Sequence, residues 1–169
     1  MHQFTTYLRG CALFGAGLIA GIVLMQPSAA QENKTAAIRL NHVGIAVKNF
    51  DESVNFYSKV MGFRVAFRFP SPDGKPTTTY FQINRDTFLE MAPATEALSA
   101  GITHIGVETE DIKSTIARIR QAGGTAEDFR VSGPTKALLS NVTDPNGLRL
   151  ELIEVTPDSL HKKAEESWK

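Results

Sequence analysis

The chain is expected to fold as an α+β domain in which two βαβββ repeats form one curved mixed sheet. Three observations predict this. LNHVGIAVKNFDES at 40–53 is written again as ITHIGVETEDIKST at 102–115, so that His42 matches His104 and Gly44 matches Gly106 at an offset of 62. Glu90 in FLEMAP and Glu151 in LRLELIE repeat the relation at an offset of 61. Runs of alternating apolar residues, the mark of strands, follow a single helical pattern in each copy.

The elements follow in order. IRLNHVGIAV at 38–47 is branched and alternating, a first strand. Asp51 is placed to cap a helix over about 52–61, with Val54, Phe56, Tyr57 and Val60 as its apolar stripe and Gly62 as its stop. FRVAFRF at 63–69, TTTYFQI at 77–83 and TFLEMA at 87–92 read as three strands, the first two parted by the turn-rich PSPDGKP. ATEALSAG at 94–101 links the copies. THIGVET opens the second, and Asp111 can cap a helix over about 112–122, whose Ile112, Ile116 and Ile119 share a face before Gly123 and Gly124. TAEDFRV at 125–131, KALLSNVT at 136–143 and LRLELIEV at 148–155 complete it, with DPNG as a hairpin turn. The domain is thus expected over 38–155, as repeats 38–93 and 102–155. A helical tail over 156–169 should pack through Leu160, Ala164 and Trp168.

The first thirty residues differ. Arg9 is followed by a run without charge from Cys11 to Met25, and Ser28 and Ala30 stand at the small positions of a cleavage site. This is the pattern of a secretory signal peptide over 1–30, with a polar lead-in at 31–37. The alternative is an uncleaved N-terminal anchor, and only then would a membrane be a partner. The expected location is periplasmic or secreted. Cleavage after Ala30 would remove the single Cys, which suits an oxidising compartment. Eighteen basic and eighteen acidic residues balance, so no nucleic-acid footprint is expected.

Side chains alternate across a strand. Val43, Ile45 and Val47 form one row, His42, Gly44 and Ala46 the other; Leu89 and Met91 oppose Glu90; Ile105 and Val107 oppose His104; Leu150 and Leu152 oppose Glu151. The aliphatic rows can bury against helices, which leaves His42, Glu90, His104 and Glu151 on the concave face. Imidazole and carboxylate together suit one divalent ion, Zn, Ni, Co, Fe or Mn, and an ion removes the cost of burying two carboxylates together. Arg64, Arg68, Lys136 and Arg149 are candidates to meet an anionic substrate. Phe67, Phe69, Tyr80 and Phe129 are candidate cup lining, with core packing as their competing role.

NHVGIAVKNFDESVNFYSKVMGF, FLEM, THIGVE and DPNGLRLELIE resemble the vicinal oxygen chelate superfamily, over about residues 38–155. This superfamily includes glyoxalase I, fosfomycin-resistance proteins, methylmalonyl-CoA epimerase and extradiol dioxygenases. The His-Glu-His-Glu order is similar to the metal set of glyoxalase I. The resemblance implies His42, Glu90, His104 and Glu151 as ligands, Glu151 or Glu90 as the catalytic proton carrier, and a lyase or isomerase reaction through an enediolate. It stops short of glutathione recognition: Ala46 and Ala94 stand where glyoxalase I tends to have Arg and Asn. Glu90 stands where the epimerase usually has Gln. Two alternatives share the fold. One is a non-haem Fe(II) extradiol dioxygenase using His42, His104 and Glu151; the other is a binding protein for a small ligand or drug. Resemblance also implies a homodimer with each metal site shared between chains, because each repeat is half a cup and the linker is short; the competing arrangement is a monomer with both repeats around one site.

Overall fold

In the computed structural model, residues 38–70, 74 and 76–169 are described. The signal-peptide segment and lead-in lie outside them. Eight strands form one sheet: β1 (Arg39–Val47), β2 (Arg64–Pro70), β3 (Pro76–Asn84), β4 (Thr87–Pro93), β5 (Gly101–Glu108), β6 (Arg130–Val131), β7 (Leu138–Thr143) and β8 (Arg149–Glu154). Their order is β2-β3-β4-β1-β5-β8-β7-β6, the expected curved mixed sheet. In each half the first strand pairs in parallel with the last, β1 with β4 and β5 with β8. The halves join where β1 pairs antiparallel with β5.

Helix α1 (Phe50–Asn55) runs into a π-helical turn (Phe56–Val60), and α2 (Ile112–Gln121) occupies the same place in the second half. The first helix starts at Phe50, two positions before the expected Glu52, and its N-cap residue is Asn49 instead of Asp51. Asp111 caps α2 as its sequence predicts, accepting from the Ser114 amide at 3.0 Å. The expected strand over 125–131 shrinks to Arg130–Val131 and a bridge from Ala126 to Val142. Asp144 takes the amides of Asn146 (2.8 Å) and Leu148 (2.7 Å), and Gly147 at φ 87° closes the turn between β7 and β8.

The aliphatic rows bury as the alternation requires. Val43, Ile45, Val47, Leu89, Met91 and Phe81 pack with Val54 and Tyr57 of the first helical segment. Val107 and Leu152 pack with Ile112, Ile116 and Ile119 of α2. Both helices therefore lie on one face, and the other is left free for the polar row. Part of that free face is covered by α3 (Leu160–Glu166). Its buried residues are His161, Ala164 and Glu165; of the expected stripe Ala164 is buried, Leu160 is half-buried and Trp168 is exposed, and Ala164 packs with Tyr80 and Phe88, beside Phe67 and Phe69. Of the candidate lining, Phe67, Phe69 and Tyr80 lie here, as packing with α3. Phe129 lies elsewhere, 37% exposed beneath Lys113.

No helix among the described residues is long and apolar enough to cross a membrane. Phe81, on β3, is fully buried against the first helical segment, on the face opposite the polar row. Phe81→Ala is expected to cost about 3–5 kcal/mol, measured as a lower urea midpoint.

Candidate metal centre

The two central strands build the centre. In their register His42 faces Gly106 and Gly44 faces His104. A Cβ on Gly106 would overlap Cε1 and Nδ1 of His42, and one on Gly44 would overlap the same atoms of His104. Each imidazole thus lies over the glycine of the other repeat. The two Nε2 atoms meet at 2.9 Å. Glu90 arrives from β4, the Cα partner of Gly44, and Glu151 from β8, the partner of Gly106.

Glu90 Oε2 lies 3.4 Å from His42 Nε2 and 3.2 Å from His104 Nε2; Glu151 Oε2 lies 3.6 Å from His42 Nε2. One donor atom from each of the four residues falls within 4.8 Å of all the others. Ligands at roughly 2.1 Å from one ion stand about 3.0 Å apart at right angles and about 3.4 Å apart in a tetrahedron. The edges of 2.9, 3.2, 3.4 and 3.6 Å lie in or near this range. All four residues converge within a single chain. The reason lies at the end of β1. Pro93, at the end of β4, pairs with Val47, and Gly101, at the start of β5, pairs with Ala46. Residues 94–100 therefore need only step over the tip of β1, two strand spacings of about 10 Å.

The outer contacts fix the rings. His42 Nδ1 donates to Asn41 Oδ1 at 2.9 Å, since an amide oxygen only accepts, and this leaves the Nε2 lone pair for the centre. Asn41 Nδ2 donates to Glu108 at 2.9 Å, and Glu108 takes Arg39 Nη2 at 2.6 Å. His104 Nδ1 has the Thr103 hydroxyl at 2.9 Å. Sequence reading missed Asn41 and Thr103 because neighbours in a regular strand point to opposite faces. The register skips both residues, at a bulge in β1 and another in β5, and the bulges re-aim them. The signal in the sequence is an oxygen-bearing side chain just before each repeated His.

Burial pushes the His42 imidazole down to about 4, against the pull of Glu90. Burial works to raise Glu90, but the hydrogen bond from His104 and the attraction of His42 outweigh it and bring the carboxyl to about 2. Glu151 is raised, first by burial and then by the charge of Glu90. Tyr80, the Cα partner of Glu90, is raised well above its ordinary range by burial and by that carboxylate. Among the four candidate cations, Arg149 reaches the site, donating to Glu151 at 3.4 Å and to Asn141 at 3.1 Å. Arg64 instead holds α3 through the carbonyls of Ala164 and Ser167.

A sequence model of the Glyoxalase/Bleomycin resistance protein/Dioxygenase superfamily matches residues 39–152. A lactoylglutathione lyase of Neisseria meningitidis serogroup A is 30% identical over 127 residues, 69% of this chain and 91% of the relative. A probable lactoylglutathione lyase of Synechocystis is 29% identical, covering 69% and 95%. Among solved structures, a methylmalonyl-CoA epimerase of Mycobacterium tuberculosis has the same fold at a TM-score of 0.59 and 22% identity, covering 70% and 88%. A variant epimerase of Streptomyces coelicolor bound to 2-nitronate-propionyl-CoA reaches 0.60 at 24% identity, covering 72% and 96%.

Two buried imidazoles make the metal-free protein acid-sensitive. Burial also takes His161 down to about 3. In the unfolded chain both rings bind protons near the ordinary 6.5, while in the folded chain they stay neutral to about 4 and about 3. The stabilisation is complete above the unfolded value and is lost as pH falls toward the folded ones. Glu151 and Glu165, both raised by burial, act in the opposite sense. Urea unfolding of metal-free protein should show stability declining from pH 6.5 to 5, and the decline should shrink in His161→Phe.

Proposed function

Because the chain belongs to the Glyoxalase/Bleomycin resistance protein/Dioxygenase superfamily, we propose that it is a divalent-metal-dependent, glyoxalase-I-like lyase or isomerase. Its substrate is small and offers neighbouring oxygens, and a proton is moved at the carbon beside a carbonyl. The observation that carries this reading is the convergence of His42, Glu90, His104 and Glu151. Two carboxylates brought together beside two buried imidazoles are costly to hold at one point unless a positive centre joins them. The donor set fits Zn, Ni, Co, Fe or Mn. A divalent ion held there would supply Lewis-acid stabilisation of charge developing on substrate oxygen.

The remaining roles fall to the chain itself. Of the two carboxylates, Glu151 has the higher proton affinity, and it carries the proton; Glu90, held low, stays an anion throughout. Arg149, beside Glu151 and 40% exposed at its side chain, orients an anionic or carbonyl group. Names of the curated relatives support lyase chemistry over oxygenation. Glu90 lies closer to both imidazoles than Glu151 lies to His42, which supports four ligands over a set of two His and one carboxylate. Ala46 is buried and offers no charge to a glutathione carboxylate, so we take the acceptor to be another small oxygen chelator.

His104→Ala should fold, since Val107 still packs, and should lose metal affinity by about a hundredfold or more in calorimetric titration. Gly106→Ala should do nearly the same although it removes no ligand; unchanged metal affinity across both would exclude the centre. Metal-loaded protein should turn over a hemithioacetal without oxygen uptake, and Glu151→Gln should slow this by about 10²-fold or more. Oxygen consumption with a catechol would indicate the dioxygenase instead. We also propose export, supported by the uncharged run and the small residues before Gln31. Protein isolated from its host should begin near Gln31 on N-terminal sequencing.

A further inference from the structure

The centre described above makes no use of His161. Its residue is 1% exposed, and neither ring nitrogen has a hydrogen-bond partner among the described residues. The ring sits in a box. Phe67, Tyr80 and Phe88 stand at 5.1, 5.2 and 5.2 Å, turned by 81°, 89° and 90°, while His42 lies at 6.4 Å and only 27° from parallel. These are the edge-to-face and stacked arrangements that any flat ring prefers. The polarity of the imidazole is wasted there, because a buried polar atom without a partner is a cost.

The box shares walls with the metal centre. Phe88 is the Cα partner of His42, and Tyr80 of Glu90. The occupant, by contrast, arrives on a seven-residue C-terminal helix that is no part of the sheet. That helix is tied by Arg64 to the carbonyls of Ala164 (2.9 Å) and Ser167 (3.0 Å), and by the Leu160 amide to Thr135 at 2.9 Å. On the same face Glu165 is buried with Oε1 unpartnered. If α3 swings outward, both nitrogens and this oxygen regain water and no strand pairing is broken.

We propose that the box of Phe67, Tyr80 and Phe88 beside His42 is a binding subsite for a flat, uncharged ring, and that His161 is a plug which α3 withdraws when such a ligand enters. The subsite goes beyond the metal reading, and its readout does not depend on a metal. Trp168, the single Trp of the chain, reports on the plug, because its ring lies 5.5 Å from the Arg64 guanidinium at the end of α3.

The test uses the full chain without metal, with phenol as the probe and cyclohexanol as a control of similar size that is not flat. Phenol should shift Trp168 emission to longer wavelength in the wild type, and cyclohexanol should not. His161→Gly should bind phenol at least tenfold more tightly than the wild type in calorimetry. Arg64→Met, which loosens α3 without touching the box, should also tighten phenol. A folded His161→Gly that binds phenol no better than the wild type, or no better than cyclohexanol, overturns the proposal. If His161→Gly does not fold, Arg64→Met decides by the same comparison. Metal titration of the same samples separates the two readings. A phenol preference without metal binding supports the subsite and overturns the metal centre. Metal binding without that preference overturns the subsite alone.

Discussion

The antiparallel pairing of β1 with β5 is the constraint on which the rest depends. It places His42 opposite Gly106 and His104 opposite Gly44, so each ring rests on backbone that has no side chain. Any other residue at either glycine would push the facing imidazole off its position. The His-x-Gly spacing is therefore one device used twice, and neither copy is complete without the other. Curvature of the sheet and the placement of β4 and β8 then bring Glu90 to both rings and Glu151 to that of His42.

The same pairing contains the two bulges that serve the rings. Asn41 and Thr103 are each skipped by the register and each meets Nδ1 of the histidine that follows. On the β1 side the chain of contacts continues through Glu108 to Arg39, so a surface guanidinium is connected to the tautomer of a buried imidazole. The second half has only a hydroxyl at that place. The two imidazoles are thus held unequally, and so are the carboxylates: Glu90 is drawn low, while Glu151 is raised. A nearly symmetric frame carries unlike proton affinities, which acid–base work requires.

Much of this was legible in the sequence, and particular residues show why. His42, Glu90, His104 and Glu151 could be found because strand alternation has a strict period and the repeat applied it twice. The helices could be placed because Asp111 and the isoleucines of α2 obey local rules. Asn41 and Thr103 were hidden because a bulge suspends the alternation that the reading relied on. His161 and Glu165 were hidden because α3 buries polar residues, and an apolar stripe through Leu160 and Trp168 points to a different face. The single-chain centre was hidden because the reach of residues 94–100 depends on which end of β1 they cross, and strand order is not written locally.

That crossing has a consequence for how the molecule is put together. Nothing covalent joins the two halves except residues 94–100, an exposed step over a strand tip, while the β1–β5 ladder carries the recognition. The ladder does not require that its strands belong to one polypeptide. A break in the 94–100 step would leave two fragments, each with one imidazole, one carboxylate and a bare glycine awaiting its counterpart. Their reassembly would be bimolecular, so the abundance of intact centres would vary with fragment concentration. The peptide link thus fixes stoichiometry and effective concentration, and the pairing geometry fixes the site.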